Sequence, residues 1–417
     1  MLPVIDERHS VQEMSPASRS VPLWRNRDYL LLWGGQVVST VGSQLSLLAF
    51  PLLVLALTHS PVQAGLIGGL RGLPYLLLGL PAGALVDRWD RKRVMLICDS
   101  GRALALGSIP LALALGHLTI WQLYLVSLIE GTLYVFFSLS ETACLPRVVA
   151  AEQLPAAAAQ DQAAYATSEL LGPSFGGLLY TLGQMIPFLA DTISYVVSVV
   201  SLLFIKTAFQ EERTAARGSL GAEVLEGLAW LWRQPLIRFL ALMVGVLNLT
   251  GAGYTLIVIV LAQRLHASSF AIGLILACAG LGNILGTLLT PAIQKRFSFR
   301  QVMVVSVWVL ALTWLLYLVA PNPLLLGVFT AIMVIGVPVQ GITQFSYRLK
   351  LIPDHLQGRV NAPFRIITWG SGPLGLALAG TLLQAFGPAA TVWILFVPQV
   401  ALAVAVTLNR SMKEQQQ

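Results

Sequence analysis

Long apolar stretches separated by short polar breaks run along almost the whole chain. With a window of about 19 residues, twelve of these stretches are long enough to cross a hydrocarbon core of about 30 Å. Turn signals such as "THSP" at 58–61 separate neighbouring stretches tightly. The predicted helices, numbered 1 to 12, cover residues 29–57, 62–86, 94–116, 121–145, 162–183, 187–206, 236–262, 269–292, 300–320, 323–347, 362–386 and 390–408.

The overall composition indicates the same class of protein. Mean hydropathy is +0.76 and only 11% of the residues are charged, whereas charged residues make up about 25% of a soluble domain. The net charge of +7 does not indicate nucleic-acid binding, because the basic residues lie in short breaks between apolar runs and not on one polar surface. The sequence therefore predicts an all-α membrane protein that contacts the lipid bilayer.

The positions of Lys and Arg predict the orientation in the membrane. Basic residues occupy the N-terminal tail and every connection that follows an even-numbered helix, whereas the connections after odd-numbered helices carry only Arg264. The positive-inside rule then places both termini in the cytoplasm. The first 28 residues lack the apolar region and cleavage site of a signal peptide, so we expect them to remain on the protein. These features predict a multi-pass monomer in a bacterial inner (plasma) membrane.

The chain also contains an internal repeat. At an offset of 207 residues, Pro146 falls on Pro353 and the loop "DRWDRKR" falls on "QKRFSFR"; at an offset of 200, "GPSFGG" falls on the segment that begins "GPLGLA". Two pseudo-symmetric six-helix bundles, 29–206 and 236–408, are therefore predicted, with substrate held between them near the membrane midplane. The linker 207–235 is expected to contain an amphipathic helix capped by Ser219, and the tails 1–28 and 409–417 are expected to be cytoplasmic.

Two motifs resemble signatures of the major facilitator superfamily. The loop between helices 2 and 3 is similar to the superfamily's G-x-L-a-D-R-x-G-R-K signature, with Asp90 in the place of a glycine, and its "DRWDRK" form resembles the branch that contains macrolide and siderophore exporters. In helix 5, "GPSFGG" resembles part of the antiporter signature through Gly172, Pro173, Gly176 and Gly177. The resemblance implies the twelve-helix major facilitator fold and favours export. The helix-4 signature R-x-x-Q-G is not intact, because Ser127 and Glu130 occupy its Arg and Gln places.

The loop between helices 2 and 3 has two possible roles. Asp87 is placed to meet the positive N-terminal end of helix 11 near Asn361, and Arg91 is expected to reach Glu141 at the inner end of helix 4. Such contacts would latch the two halves in the outward-open state. Alternatively, the loop is only a topology anchor. The latch residues are Gly83, Asp87, Arg88, Arg91, Lys92 and Glu141.

Ionisable residues inside the predicted helices are costly and therefore indicate function. After Glu226 the only carboxylates are Asp354 and Glu414, both outside the predicted helices, so helices 7–12 contain none. The candidates for proton coupling are Glu130, Arg71, Asp191 and Glu169, whereas Asp99 and Arg102 are expected to form a local pair one turn apart.

Arg71, Glu130 and Asp191 each lie fifteen residues from a predicted cytoplasmic helix end, at 86, 145 and 206, and so share a depth of about 22 Å. An Arg71–Glu130 pair would either exchange a proton when it breaks or serve as a static ion pair inside the first bundle. Asp191 is also placed to cap polar groups where helix 6 enters the membrane.

Other polar and aromatic residues in the helices suggest a cavity for an amphiphilic small-molecule substrate. Its candidate lining residues are Trp33, Gln36, Gln44, Asn248, Tyr254, Asn283, Gln340 and Trp369. The three cysteines show no spacing typical of a disulfide framework or a zinc site, and neither a P-loop nor an H-E-x-x-H motif is present. No metal site, cofactor or catalytic residue is therefore expected.

These observations predict a secondary transporter that exports drugs or secreted metabolites, by proton antiport through alternating access. An uptake permease or facilitator on the same fold stays open as an alternative. An intramembrane enzyme is less favoured, because all five histidines lie in predicted loops or the tail.

Overall fold

The computed structural model describes residues 22–207, 209, 220–353 and 356–409, and every regular element within these ranges is helical. Short 3-10 turns precede α1 and α5 and follow α11. The helices are α1 (Arg27–Thr58), α2 (Pro61–Val86), α3 (Arg91–Ala114), α4 (Ile120–Val148), α5 (Leu154–Leu182), α6 (Ile186–Phe204), α7 (Leu220–Arg233), α8 (Pro235–Gly251), α9 (Tyr254–Arg264), α10 (Ser269–Arg296), α11 (Phe299–Thr313), α12 (Pro323–Leu351) and α13 (Gln357–Leu408).

Polar caps in the short breaks fix where many of these helices begin. The side chains of Asn26, Ser60 and Thr119 accept hydrogen bonds from main-chain N–H groups in the first turns of α1, α2 and α4. Ser298 and Gln301 form a reciprocal capping box at the start of α11. The polar breaks in the sequence therefore supply the hydrogen bonds that the first turns of these helices lack.

Each predicted span overlaps a helix, but three boundaries differ. α5 begins at Leu154, eight residues before the predicted residue 162, because the Ala-rich segment "LPAAAAQD" continues the helix beyond its apolar part. Predicted helix 7 is divided into α8 and α9 at Ala252 and Gly253, and predicted helices 11 and 12 join in α13. The chain changes direction inside α13 at Gly387, whose φ of 74° is the left-handed region open to glycine.

Nine helical segments of the described chain are long and apolar enough to cross a membrane, and the last of them, Arg359–Leu408, contains the turn at Gly387. α2 and α5, with 26 and 29 residues, are also longer than the roughly 20 residues that a crossing needs. The fold is the all-α membrane architecture that the sequence predicts.

The helices pack into two groups with matching internal neighbours. In the first group, α1 packs on α5 and α6, α3 on α4 and α6, and α2 on α4. In the second, α8 packs on α13, α11 on α12 and α13, and α10 on α12. We refer to α1–α6 as the first half and to α8–α13 as the second half. The predicted domain limits at residues 206 and 236 stay a prediction.

The two halves meet along two seams, α2 against α13 and α5 against α10. Along the first seam, Gly65 packs on Gly380 and Gly69 packs on Pro373. Further along α2, toward its connection with α3, a methyl group added at Gly79 or Gly83 would meet nothing within 4 Å. The glycine contacts between the halves therefore lie toward the end where α1 connects to α2, which we call the closed end, and none is made at Gly79 or Gly83 toward the end of the α2–α3 loop, the open end.

The segment predicted as the linker contributes α7, and this helix packs on α8 and α13. Gly227 allows α7 to approach the backbone of Arg359, and the Arg359 guanidinium pairs with Glu226 at 2.8 Å. The predicted cap Ser219 lies outside the described residues.

Candidate functional site

A buried polar network lies inside the first half. It contains two guanidinium groups, three carboxylates and a tyrosine hydroxyl, contributed by α2, α3, α4 and α6, with serine hydroxyls from α1 and α6. Its charged members are Arg71, Asp99, Arg102, Glu130 and Asp191. We call these five residues and their hydroxyl partners the charged network.

Glu130 on α4 is the centre of the charged network. Its side chain is 1% exposed and accepts hydrogen bonds from Nη2 of Arg71 at 2.8 Å and from Nη2 of Arg102 at 3.2 Å. Arg71 also contacts the second carboxylate oxygen through Nε, and the Tyr195 hydroxyl lies 3.2 Å from Oε1. The structure thus brings together Arg71 and Glu130, which the sequence places at one depth, and it adds a second guanidinium to the pair.

Arg102 on α3 pairs with Asp99 one turn away, with 3.4 Å between Nη1 and Oδ1, as the sequence predicts. The interpretation of this pair as purely local is wrong, because Arg102 also binds Glu130 and donates to the Tyr195 hydroxyl at 2.5 Å. Its guanidinium carbon lies 4.2 Å from the Tyr195 ring centroid. Asp99 is fully buried and also accepts a 2.5 Å hydrogen bond from Ser198.

Asp191 on α6 is bonded differently from the other two carboxylates. It is fully buried and accepts hydrogen bonds from the hydroxyls of Ser46 at 2.5 Å and Ser194 at 3.2 Å. Within the described part of the chain, no guanidinium or ammonium group lies within ion-pair distance of Asp191. Asp191 is therefore the carboxylate of the charged network that hydroxyl groups alone solvate.

Small residues make the charged network possible by letting backbones approach. Gly42 on α1 packs directly on Ser194 and Asp191 of α6, and Gly131 on α4 packs on the main chain of Arg71. Asp191, Ser194 and Ser198 are spaced three and four residues apart, so they share one face of α6. Glycine at 42 and 131 and hydroxyl groups on the facing helix together create a polar interior without a large void.

The helix-5 motif contacts both halves. A side chain at Gly172 or Gly176 would collide with Gln44 and Leu45 of α1, and one at Gly177 would collide with Ser269 of α10. The carbonyl of Pro173 packs on Gly273 of α10 in the same way. The motif therefore permits close packing of α5 on two helices at once, one from each half.

Glu169 lies one turn before Pro173 and bridges the α5–α10 seam. Its Oε2 accepts a hydrogen bond of 3.3 Å from Nδ2 of Asn283. Asn283 is thus a polar residue between the halves, and its place in the cavity lining stays a prediction.

The loop between α2 and α3 binds its own half of the molecule. Arg91 is buried, pairs with Asp87 at 3.2 Å and donates to the main-chain oxygen of Ala143 at 3.0 Å. The predicted contact of Arg91 with Glu141 is wrong for this conformation, because Asp87, one turn away, and the carbonyl groups occupy the guanidinium. Lys92 donates to the carbonyl of Ile205 at 2.7 Å. Among the described residues, Arg88 and Gly83 show no contact that supports a latch.

The predicted cavity residues lie in different surroundings. Gln44 and Gln340 are buried at 8% and 6% exposure, and α5 approaches Gln44 closely at Gly172; that these two residues line the cavity stays a prediction. Trp33 lines an apolar groove of about 740 Å³ between α1 and α5. Gln36 and Tyr254 are half-buried, and Asn248 donates to the carbonyl of Thr368 at 2.7 Å.

Trp369 is 61% exposed and forms part of a contact between the halves. Its ring stacks on Tyr75 of α2, with centroids 5.9 Å apart. The Arg365 guanidinium binds the Tyr75 hydroxyl and lies 5.6 Å and 5.7 Å from the Tyr75 and Trp369 ring centroids. Neither Arg365 nor Tyr75 is among the site residues predicted from the sequence.

The hydroxyl residues of the charged network were not predicted, because their signals in the sequence are weak. Serines recur at helical spacing inside two apolar helices, at Ser43 and Ser46 in α1 and at Ser194 and Ser198 in α6. That spacing is a sequence signal that α1 and α6 pack together. Nothing in the sequence marks Tyr195 as the residue that joins Ser43, Arg102 and Glu130. Among the described residues, no group of three or more His, Cys, Asp or Glu side chains is arranged to hold a metal ion.

Comparison with known proteins identifies a family and a fold. A family model described as transmembrane secretion effector, of the major facilitator type, matches residues 17–417. The chain is 27% identical over 399 residues to the multidrug efflux pump Tap of Mycolicibacterium fortuitum, covering 92% of this chain and 96% of that protein. It is 26% identical over 399 residues to macrolide efflux protein A of Streptococcus pyogenes, covering 92% and 95%.

Solved structures show the same fold. A variant of the nucleoside transporter NupG superposes with a TM-score of 0.78 at 16% identity, over 93% of this chain and 100% of that one. A bacterial homologue of the human lysosomal transporter Spinster, in an inward-facing and unoccupied conformation, superposes with a TM-score of 0.70 at 14% identity, over 93% and 96%.

Proposed function

Because the chain belongs to the transmembrane secretion effector family of the major facilitator superfamily, it is a transporter and not an enzyme, and we propose that it exports amphiphilic small molecules by proton antiport. The family and the apolar helices make it a multi-pass protein of the plasma membrane. The names of the two efflux relatives support the direction of transport. The observation that carries the proposal of proton coupling is the charge imbalance inside the charged network.

The charged network contains one more acid than base. Arg71 and Arg102 supply two positive charges, and Glu130, Asp99 and Asp191 supply three negative charges when all are ionised, which leaves a net charge of −1. An uncompensated charge is expensive in a buried, low-dielectric interior. Binding of one proton makes the charged network neutral. A network of this composition therefore has two states that differ by a single proton.

Asp191 is the site that we assign to this proton. Glu130 receives hydrogen bonds from two guanidinium groups and Asp99 from one, so protonation of either would leave a buried cation unpaired. Asp191 has only hydroxyl partners, and these can either donate to a carboxylate or accept from a carboxylic acid. Glu130 and Arg71 then fit the static alternative, an ion pair that holds α2 and α4 together beside the proton site.

The two seams support alternating access. The glycine contacts between the halves lie toward the closed end and are absent at Gly79 and Gly83 near the open end, and the basic loops favour a cytoplasmic position for the open end. This conformation is therefore assigned as inward-open, with both termini cytoplasmic. In the outward-open state the α2–α3 loop would approach the start of α13, where Asp87 is placed to act as a latch.

The test is proton movement coupled to substrate. The full chain is reconstituted in liposomes that contain a pH-sensitive dye, and a macrolide or a hydrophobic cation is added under a pH gradient. We expect substrate to release protons through the wild-type protein, and we expect Asp191→Asn to abolish this release while substrate exchange without a gradient continues. A charge-neutral network still changes conformation but carries no proton.

Glu226→Gln is the matched control, because it removes a carboxylate from an exposed ion pair outside the charged network. It should leave proton release unchanged. If Asp191→Asn still couples protons to substrate, the assignment of the proton to this network is wrong. Substrate movement only down its own gradient in wild type would instead favour the facilitator alternative.

A further inference from the structure

The face of α13 that carries Arg365 and Trp369 lies at the edge of its contact with α2, where both side chains meet Tyr75. Gly370 and Pro373 contact α2, and Gly375 contacts α8. Leu374 and Leu378 are exposed apolar residues on a different side of the helix, which suits lipid. Arg365, Trp369 and Gly372 share the remaining face, where a methyl group added at Gly372 would meet nothing within 4 Å.

This face borders the opening between the halves. Leu76 on α2 still packs on Gly370 of α13, but one turn further toward the open end Gly79 has no neighbour. Tyr75, Arg365 and Trp369 therefore lie where the α2–α13 seam begins to part. Arg365 is exposed there and Trp369 is 61% exposed, so both are accessible to a molecule that enters from the open end.

Arg365 has no acidic partner among the described residues. Within the described ranges no carboxylate lies within ion-pair distance of its guanidinium, whose polar contact is the Tyr75 hydroxyl and whose other contacts are two aromatic rings. The helices of the second half contain no carboxylate at all. Arg348 on α12 adds a second cation, buried at 4% exposure, with its guanidinium carbon 3.6 Å from the Phe364 ring centroid. The second half therefore presents uncompensated positive charge.

We propose that Arg365, Trp369 and Tyr75 form a subsite for the carboxylate of an aromatic amphiphile, so that the exported compounds include aromatic organic acids. A guanidinium binds a carboxylate through two parallel hydrogen bonds and leaves its flat face free to stack. The stacked rings of Tyr75 and Trp369 provide an aromatic surface beside it. The subsite is separate from the charged network, and its transport role depends on the proposed export function.

Binding of a matched pair of probes tests the subsite without transport. The probes are 1-pyrenebutyrate and its uncharged amide, titrated with the full chain in detergent and followed by fluorescence anisotropy. We expect wild type to bind the acid about tenfold more tightly than the amide, since hydrogen bonds to an ionised carboxylate are stronger than hydrogen bonds to a neutral amide. Arg365→Gln should bind both probes with the affinity of the amide, and Arg365→Lys should keep part of the preference because it keeps the charge.

Arg264→Gln is the control, because Arg264 is an exposed arginine of the same half at the closed end. It should retain the full preference for the acid. Binding of the amide reports folding, so an Arg365→Gln protein that binds the amide like wild type is folded. Equal affinity of wild type for acid and amide, or a preference that survives in Arg365→Gln, overturns the subsite.

The outcome is distinguishable from failure of the proposed function. Coupled export of macrolides without any preference for the acid removes the subsite and leaves proton antiport. A preference for the acid that depends on Arg365, in a protein that moves no protons, keeps the subsite and removes antiport.

Discussion

The two halves of the molecule have matching helix neighbours but different interiors. At the repeat offset of 207, Arg71 corresponds to Cys278, Glu130 to Val337 and Arg102 to Val309, whereas Asp99 corresponds to Ser306. At the offset of 200 that applies after helix 5, Asp191 corresponds to Thr391. Every charge of the network in the first half is thus replaced by an uncharged residue in the second.

The comparison separates what the fold needs from what transport needs. The second half forms the same helix packing with Cys, Val, Ser and Thr at these positions, so the charges of the network are not required to build a half. Replacing a buried ion pair with apolar residues is often neutral or stabilising. The charged network in the first half therefore has a role other than folding, and proton coupling is the role that we propose for it.

Among variants that remove a difference between the two halves, the largest loss of stability is expected at Glu130. Glu130→Gln removes the shared partner of Arg71 and Arg102, leaves buried positive charge uncompensated and should cost about 3–5 kcal/mol. Thermal unfolding in detergent measures the loss. Ser306→Ala, at the second-half counterpart of Asp99, should cost about 1 kcal/mol or less. Equal unfolding temperatures for the two variants would contradict the difference between the halves.

The two buried arginines give the next comparison. Arg102→Met leaves Asp99 without its guanidinium and should destabilise the protein by about 3 kcal/mol. Arg348→Met should have an effect of about 0–1 kcal/mol, because Arg348 contacts aromatic rings and no described carboxylate, and a thioether packs well on a ring. Chemical unfolding of both variants in the same detergent checks this. A larger loss of stability for Arg348→Met than for Arg102→Met would contradict the expected difference between the two arginines.

A smaller loss of stability is expected at the α5–α10 seam. In Gly177→Ala the added methyl group would meet the backbone of Ser269 and Gly273, and overpacking of this kind costs about 1–3 kcal/mol. Gly341→Ala on α12 meets nothing within 4 Å and should be neutral or stabilise its helix by up to about 1 kcal/mol. Unfolding midpoints and transport rates of the pair provide the measurement. Unimpaired transport by Gly177→Ala would show that the seam tolerates separation.

The smallest effect, a shift in the population of the inward-open state, is expected at the loop between α2 and α3. Asp87 is 64% exposed in its pair with Arg91, and exposed pairs contribute about 0–1 kcal/mol, so Asp87→Asn should shift the inward-open population by at most about fivefold. The labelling rate of a cysteine introduced at Gly83 reports this shift, with Gln294→Ala as the second-half control. An unchanged rate would return the loop to a role as a topology anchor.

The length of the apolar stretches was enough to predict the helices, because a bilayer sets their minimum length. Helix ends were less predictable where polar helix continues beyond the membrane, as at Leu154, or where a break lies within apolar sequence, as at Gly253. Counting depth placed Arg71 beside Glu130. It did not place Arg102 or Tyr195, because the rotation of a helix about its axis decides which side chains meet and the sequence does not contain that angle.

The glycine contacts at the closed end have a consequence for how the transporter opens outward. There the main chains of the halves meet at Gly65 with Gly380 and at Gly177 with Ser269 and Gly273, and no ion pair between described residues joins these helices. Short-range dispersion forces hold such a contact, and dissolved ions do not screen them. In the proposed alternating-access cycle, opening of the closed end should therefore respond strongly to one added methyl group, and hardly at all to ionic strength.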